Sequence, residues 1–166
     1  MTLPNNQFVA EAVRGKTIQA PNAQVAKGLA AGFDQLGLPY VWGGGGSGAG
    51  ANDGCSRGGG ALNSCQGLTG FDCSGLTAYV LGQAGAQIPD NSGTQRSGGQ
   101  SVPKDQALPG DIYGFPGHVS ISLGFIDGQA YHLEASTVGT PVHIVAMKRS
   151  DVDSNVHRYW SGGGVQ

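Results

Sequence analysis

The amino-acid sequence predicts an α+β domain: helical spacing in its first half, period-two segments in its second, and a tight turn signal that makes consecutive strands antiparallel. Val25, Leu29, Phe33 and Leu36, following Pro21 and closed by Gly37, mark an amphipathic helix whose apolar stripe belongs to the core. Ser74 to Gly85 is a second helical run, with Leu76, Tyr79 and Val80 at helical spacing and Asp72 or Ser74 as its cap. Then the period changes. Asp111 to Phe115, His118 to Leu123, Gln129 to Ala135, Pro141 to Met147 and Val156 to Trp160 are five short strand-like segments separated by Gly, Pro or Asp turns. Asp127-Gly128 is a two-residue hairpin signal, and strands joined so tightly must run antiparallel. The intervening Ile88 to Gly110 is polar and rich in Gly, Ser, Gln and Pro, and reads mostly as loop.

The remaining organisation is simple. Residues 1–20 form an N-terminal extension with a short helix around Phe8 to Val13, and residues 21–166 form one domain, long enough to bury a core without metals. Charged residues are 12% of the chain and the net charge is −2, which argues against nucleic-acid or anionic-membrane partners. No apolar run reaches the ~18 residues of a membrane span, and the N-terminus has no charged-then-apolar signal pattern. A monomer is the expected state, with protein partners left open.

Three cysteines carry the compartment argument. Cys55 and Cys65 flank a short Gly-rich loop, Ser56 to Ser64, and the overlapping stretch from Gly43 to Gly60 holds ten glycines in eighteen residues. A disulfide between them would remove chain entropy worth roughly 2–3 kcal/mol and suit an oxidising, extracytoplasmic setting. Cys73 is then a free reactive thiol; pairing of Cys65 with Cys73 is the competing assignment and would abolish thiol chemistry.

Cys73 is the candidate nucleophile because it opens a helix. Unpaired amide donors and the positive end of the helix dipole favour a thiolate there. A thiolate needs a base and a group that orients the base. His118 opens a strand at a turn, on the face it shares with Ser120 and Ser122, opposite the core-facing Val119, Ile121 and Leu123. Across the Asp127-Gly128 turn, His132 and Glu134 share a face, so either can hold one nitrogen of His118. His143, between Val142 and Ile144, reads as a satisfied sheet residue, and His157, beside Arg158, as surface. No zinc-ligand spacing and no G-x-S-x-G elbow is present, so neither a metal nor a serine nucleophile is expected, and no cofactor is called for.

Pro39-Tyr40-Val41-Trp42-Gly43-Gly44, Phe71-Asp72-Cys73-Ser74-Gly75-Leu76, Leu108-Pro109-Gly110-Asp111-Ile112 and Gly117-His118-Val119-Ser120-Ile121, in this order, resemble the motif set of the NlpC/p60 family of cysteine peptidases. The resemblance runs from about Ala23 to Trp160. It implies a papain-like fold, with N-terminal helices and a nucleophile-bearing helix packed on an antiparallel sheet of five to six strands. It implies hydrolysis of peptidoglycan stem peptides, commonly between D-glutamate and the diamino acid, with Cys73 as nucleophile and His118 as base. Many members carry a histidine in a His-Ala-Ser segment where Leu133-Glu134-Ala135-Ser136 stands here, and actinobacterial wall endopeptidases are similar in placing a glutamate there; Glu134 is preferred over His132 as third residue. By resemblance Tyr40, Asp72, Ser74, Asn91 and Ser92 line the subsite for the N-terminal side of the peptide, although Asp90 stands where an arginine is common. The implied location is secreted or wall-associated. A non-catalytic peptidoglycan-binding module, or an acyltransferase or amidase on the same scaffold, are the alternative functions.

Overall fold

The computed structural model describes residues 1–41 and 70–161. Among the described residues three α-helices, α1 (Ala23–Phe33), α2 (Cys73–Gln83) and α3 (Ser92–Gln95), accompany six strands. The strands are β1 (Gln100–Pro103), β2 (Ile112–Phe115), β3 (His118–Ile126), β4 (Gln129–Glu134), β5 (His143–Ala146) and β6 (Asn155–Arg158). They form one antiparallel sheet in the order β1-β6-β2-β3-β4-β5.

Local chemistry explains where the elements begin. The Asn22 side chain accepts from the Val25 amide at 2.8 Å, so α1 starts from an Asn cap rather than from Pro21. Asp72 does the same for α2, accepting from the Gly75 amide at 2.7 Å. The Pro116-Gly117 turn, with Gly117 at φ +68°, joins β2 to β3 so that Phe115 pairs with His118. At the next hairpin Asp127 and Gly128 both have positive φ, 52° and 83°, the backbone of a type I′ turn.

Residues expected to be loop between Ile88 and Gly110 contain α3 and β1. Strand β1 has only one buried residue, Val102, so its sequence shows no alternation to read. Its place at the sheet edge comes from pairing with β6. A buried carboxylate locks this end: Asp111 accepts from Arg158 at 2.8 and 2.9 Å, from the Trp160 indole at 2.9 Å and from the Leu108 amide at 2.8 Å.

Both faces of the sheet are covered. Val119, Ile121, Leu123, Leu133 and Ile144 join Leu29, Leu76 and Leu81 of the helices in the main core. On the other face Tyr113 and Phe115 pack with Val102, Ala107 and Val156. The face carrying His118, Ser120 and Ser122 is therefore buried as well, at 6%, 0% and 0% exposure, because the second apolar cluster lies over it. Residues 1–20, expected as an extension, place Leu3, Val9, Val13 and Ile18 in the same main core. Their backbone also covers the β5 edge, with Ile144 donating to Phe8 O at 2.9 Å and accepting from the Ala10 amide at 2.8 Å. The helix expected over Phe8 to Val13 is one 3-10 turn, Glu11–Val13.

Helices α1 and α2 touch at glycine. A Cβ on Gly28 would collide with the carbonyl oxygen of Val80 and stand 2.9 Å from Ala84 Cβ, and neither obstacle is a flexible side-chain tip. Gly28→Ala is thus expected to lower stability by ~1–3 kcal/mol. The thermal midpoint should fall by several degrees, read by circular dichroism. An unchanged midpoint would show that the two helices do not meet as closely as described.

Candidate active site

The site forms where the start of α2 meets the ends of β3 and β4. With Asp72 outside as the cap, Cys73 is the first residue of α2; it is partly buried and its thiol is free. The turn that carries it is braced from α3. Gln95, fully buried, donates to Ser74 O at 3.1 Å and Pro89 O at 2.7 Å, and accepts from the Thr77 hydroxyl. The Tyr159 hydroxyl in turn donates to Gln95 O at 2.9 Å. A residue in a stretch expected to be loop thus fixes the helix start from which the thiol projects.

Cys73 lies beside His118, close enough to raise the basicity of the imidazole. The imidazole Nε2 lies 2.8 Å from Glu134 Oε1, leaving Nδ1 as the nitrogen for the thiol. His132 is close but differently engaged: Nδ1 lies 2.6 Å from Ser120 Oγ, and Nε2 stands 3.9 Å from Glu134 Oε1, beyond hydrogen-bond reach. Of the two residues named for the third position, Glu134 is therefore the one in contact with His118. Phe115 stacks beside His118 with ring centroids 5.2 Å apart, and the Arg149 guanidinium sits 4.4 Å above the outer face of that ring.

One contact was invisible to sequence reasoning. His143, read as an ordinary sheet residue, pairs across β5 with Glu134 and brings its Nε2 to 2.9 Å from Oε2. The register that faces them depends on the path of residues 135–142, which carries no turn motif that fixes a count. His157 binds Gly98 O through Nδ1 at 2.8 Å and takes no part.

Charge follows burial. Burial pushes the Glu134 carboxyl upward, but hydrogen bonds from His118 and His143 hold it well below the usual carboxylate range. Burial likewise opposes protonation of His118, yet the neighbouring Cys73 and the hydrogen bond to Glu134 raise its pKa to about 9. His132 goes the opposite way, lowered to about 4 by burial and by the positive charge of His118 and Arg149 nearby, against the pull of Glu134. At neutral pH His118 is a cation, Glu134 an anion and His132 neutral. Neutral His132 shares a hydrogen bond between its Nδ1 and the Ser120 hydroxyl.

The residues expected to line a subsite lie at the cap and first turn of α2, at the cap and start of α3, and at Tyr40 beside Phe71. Burial pushes the Tyr40 phenol up to about 12, and the charges of Cys73 and Asp72 add to this. Tyr40 is held by a bridge to Phe71, beside the cap. Ser74 is buried and its hydroxyl donates to Asp90 O at 3.3 Å. Asn91 caps α3, accepting from Thr94 at 3.0 Å, and Ser92 follows as the first residue of that helix. Cys55 and Cys65 lie outside the described residues. Among the described residues no group of three or more His, Cys, Asp or Glu could hold a metal ion, and no helix is long and apolar enough to cross a membrane.

A cysteine at a helix start, an imidazole between it and a buried carboxylate, and a six-stranded antiparallel sheet define a thiol–imidazole–carboxylate α+β domain. Residues 37–161 match the NlpC/P60 family, and the chain belongs to it. It is 39% identical over 132 residues to peptidoglycan endopeptidase RipA of Mycobacterium tuberculosis, covering 77% of this chain and 25% of that protein. RipB of the same organism is 38% identical over 128 residues, covering 75% of this chain and 48% of RipB. The chain thus spans about a quarter to a half of the length of these relatives. A solved structure of RipA superposes with TM-score 0.69 at 34% identity, covering 82% of this chain and 62% of that one. RipD of Mycobacterium tuberculosis, described as a non-catalytic NlpC/p60 domain protein adapted to peptidoglycan binding, superposes with TM-score 0.67 at 30% identity, covering 82% and 98%.

The pKa shifts fix a stability profile. His118, raised from 6.5 to about 9, stabilises the fold below pH 6.5 and loses that contribution as pH rises toward 9. Glu134, depressed from 4.5, contributes above pH 4.5 and loses it below. His132, depressed from 6.5 to about 4, destabilises as pH falls from 6.5, because the unfolded chain takes up a proton that the fold refuses. The thermal midpoint should peak near pH 6.5 and decline on both sides, and Glu134→Gln should flatten the alkaline slope. A midpoint that climbs from pH 6.5 to 9 would contradict these assignments.

Proposed function

We propose that this domain hydrolyses peptide bonds in the stem peptides of peptidoglycan, with Cys73 as nucleophile, His118 as acid and base, and Glu134 as the group that orients His118. The observation that carries this reading is the imidazole of His118, whose Nε2 is 2.8 Å from the buried Glu134 Oε1 and whose basicity is raised by the neighbouring Cys73 at the start of α2. Family membership and the likeness to proteins named peptidoglycan endopeptidases supply the substrate class.

In this mechanism the Cys73 thiolate attacks the scissile carbonyl carbon, forming a C–S bond. Backbone amides at the start of α2 face the oxyanion, where the helix dipole favours negative charge. His118, a cation until about pH 9, delivers its Nδ1 proton to the leaving amine as the C–N bond breaks. Water then attacks the thioester, giving a proton to His118; the new C–O bond forms, the C–S bond breaks and the thiolate returns. Glu134 keeps the imidazole turned with Nδ1 toward sulfur throughout. Tyr40, protonated far above neutral pH, is a hydrogen-bond donor for the peptide, and Asp72, Ser74, Asn91 and Ser92 complete that side of the subsite. The expected bond is that between D-glutamate and the diamino acid. Such a substrate places the protein outside the cell or in the wall, where a Cys55–Cys65 disulfide would leave Cys73 the free thiol.

Incubation with purified muropeptides and mass spectrometry of the products tests the reading. The unaltered chain should release fragments cut within the stem peptide, and Cys73→Ala should abolish the cut while still folding. Cleavage by Cys73→Ala would remove the nucleophile assignment. Binding without any cleavage by the unaltered chain would favour a peptidoglycan-binding module of the kind described for RipD.

A further inference from the structure

We propose that His143 is a positioning residue for the Glu134 carboxylate, holding Oε2 at 2.9 Å while His118 holds Oε1 at 2.8 Å. The proposal rests on the thiol-hydrolase reading above and adds a fourth residue to it. An ionised carboxylate has no proton to give, so the hydrogen in the second bond belongs to His143 Nε2, in its neutral Nε2–H or its cationic form. The two imidazoles take one oxygen each, which fixes the carboxylate against rotation about its terminal bond. His132 is no substitute, because it stands 3.9 Å from the oxygen already used by His118 and is tied to Ser120 through its other nitrogen.

The fold delivers His143 to this place by direct pairing. Glu134 and His143 are cross-strand partners on β4 and β5, the arrangement in which side chains on one face meet most closely. Strand β5 is itself fixed on its outer edge by residues 8–10, which bond both polar groups of Ile144, the residue next to His143. Glu134 is only 6% exposed, so an oxygen without a donor there would not be repaired by bulk water. It would turn toward another donor or regain a proton, and either change releases His118 from its orientation.

Two variants and two readouts test this. His143→Leu removes the donor and His143→Gln restores an N–H donor on a neutral side chain. The first readout is the rate at which iodoacetamide modifies Cys73 at pH 7, followed by mass spectrometry of the Cys73 peptide, which needs no substrate. The second is kcat and KM on muropeptides. His143→Leu should slow both alkylation and kcat by about tenfold, a fraction of the loss expected when an orienting carboxylate itself is disabled, with KM within about twofold. His143→Gln should recover most of each. Rates for His143→Leu within about twofold of the unaltered chain would overturn the proposal, as would equal damage in the two variants at equal thermal midpoint. Should neither variant fold, nitrogen-15 spectra of the unaltered protein decide: a protonated Nε2 on His143 supports the proposal and an Nδ1–H tautomer overturns it. Slower alkylation in His143→Leu together with no muropeptide cleavage by the unaltered chain would support the positioning role and refute the substrate assignment.

Discussion

A buried carboxylate organises this molecule's chemistry. Glu134 is almost wholly removed from water, and a lone carboxylate in that position would hold a proton rather than a charge. Imidazole donors on both oxygens reverse that preference. The charge so retained then raises the basicity of His118, despite the burial that works against it. The group that must be made ionic by its neighbours thus joins Cys73 in making His118 a cation. Cys73 on one side of His118 and His143 on the other side of Glu134 add to the same arrangement.

The sheet supplies the burial. Had the face bearing His118, Ser120 and Ser122 been open to solvent, as simple alternation along β3 suggests, the His118–Glu134 pair would be screened and weak. The second apolar cluster, with Tyr113 and Phe115 at its centre, closes that face and lowers the local dielectric around the pair. The cost falls on His132, enclosed by the same rings and left neutral far below its ordinary range. Its place next to Glu134 made it a reasonable alternative for the third position. It stands 3.9 Å from Glu134 Oε1 and hydrogen-bonds Ser120, while Glu134 contacts His118 directly.

The parts that the sequence displays are those determined locally. A cap followed by a cysteine, a Pro-Gly turn before a histidine, and an Asp-Gly turn between alternating strands each depend on a few adjacent residues. The α+β architecture follows from their order. Features set by distant pairing stayed hidden. Strand β1 exists because β6 offers it an edge, and Gln95 matters because its amide reaches back 21 residues to the start of α2. His143 belongs to the same class: nothing in Val142-His143-Ile144 distinguishes a surface imidazole from one seated on a carboxylate. Only the register of β4 against β5 does, and a shift of one residue would turn His143 to the opposite face.

That sensitivity to register ties the placement of His143 to the first twenty residues. An edge strand of four residues has few bonds with which to hold its register. Here residues 8–10 pair with the outer side of β5, and Val9 and Ile144 are both buried at the seam. The segment therefore acts on β5 as an added strand would, from the side opposite Glu134. Its apolar side chains reach the core that also seats α1 and α2, so one body of packing holds both the helix that presents Cys73 and the strand that presents His143. A site whose charges stabilise one another only at hydrogen-bond distance requires that kind of common support, because a displacement of 1 Å between β4 and β5 would break the contact to Oε2 while leaving the sheet intact.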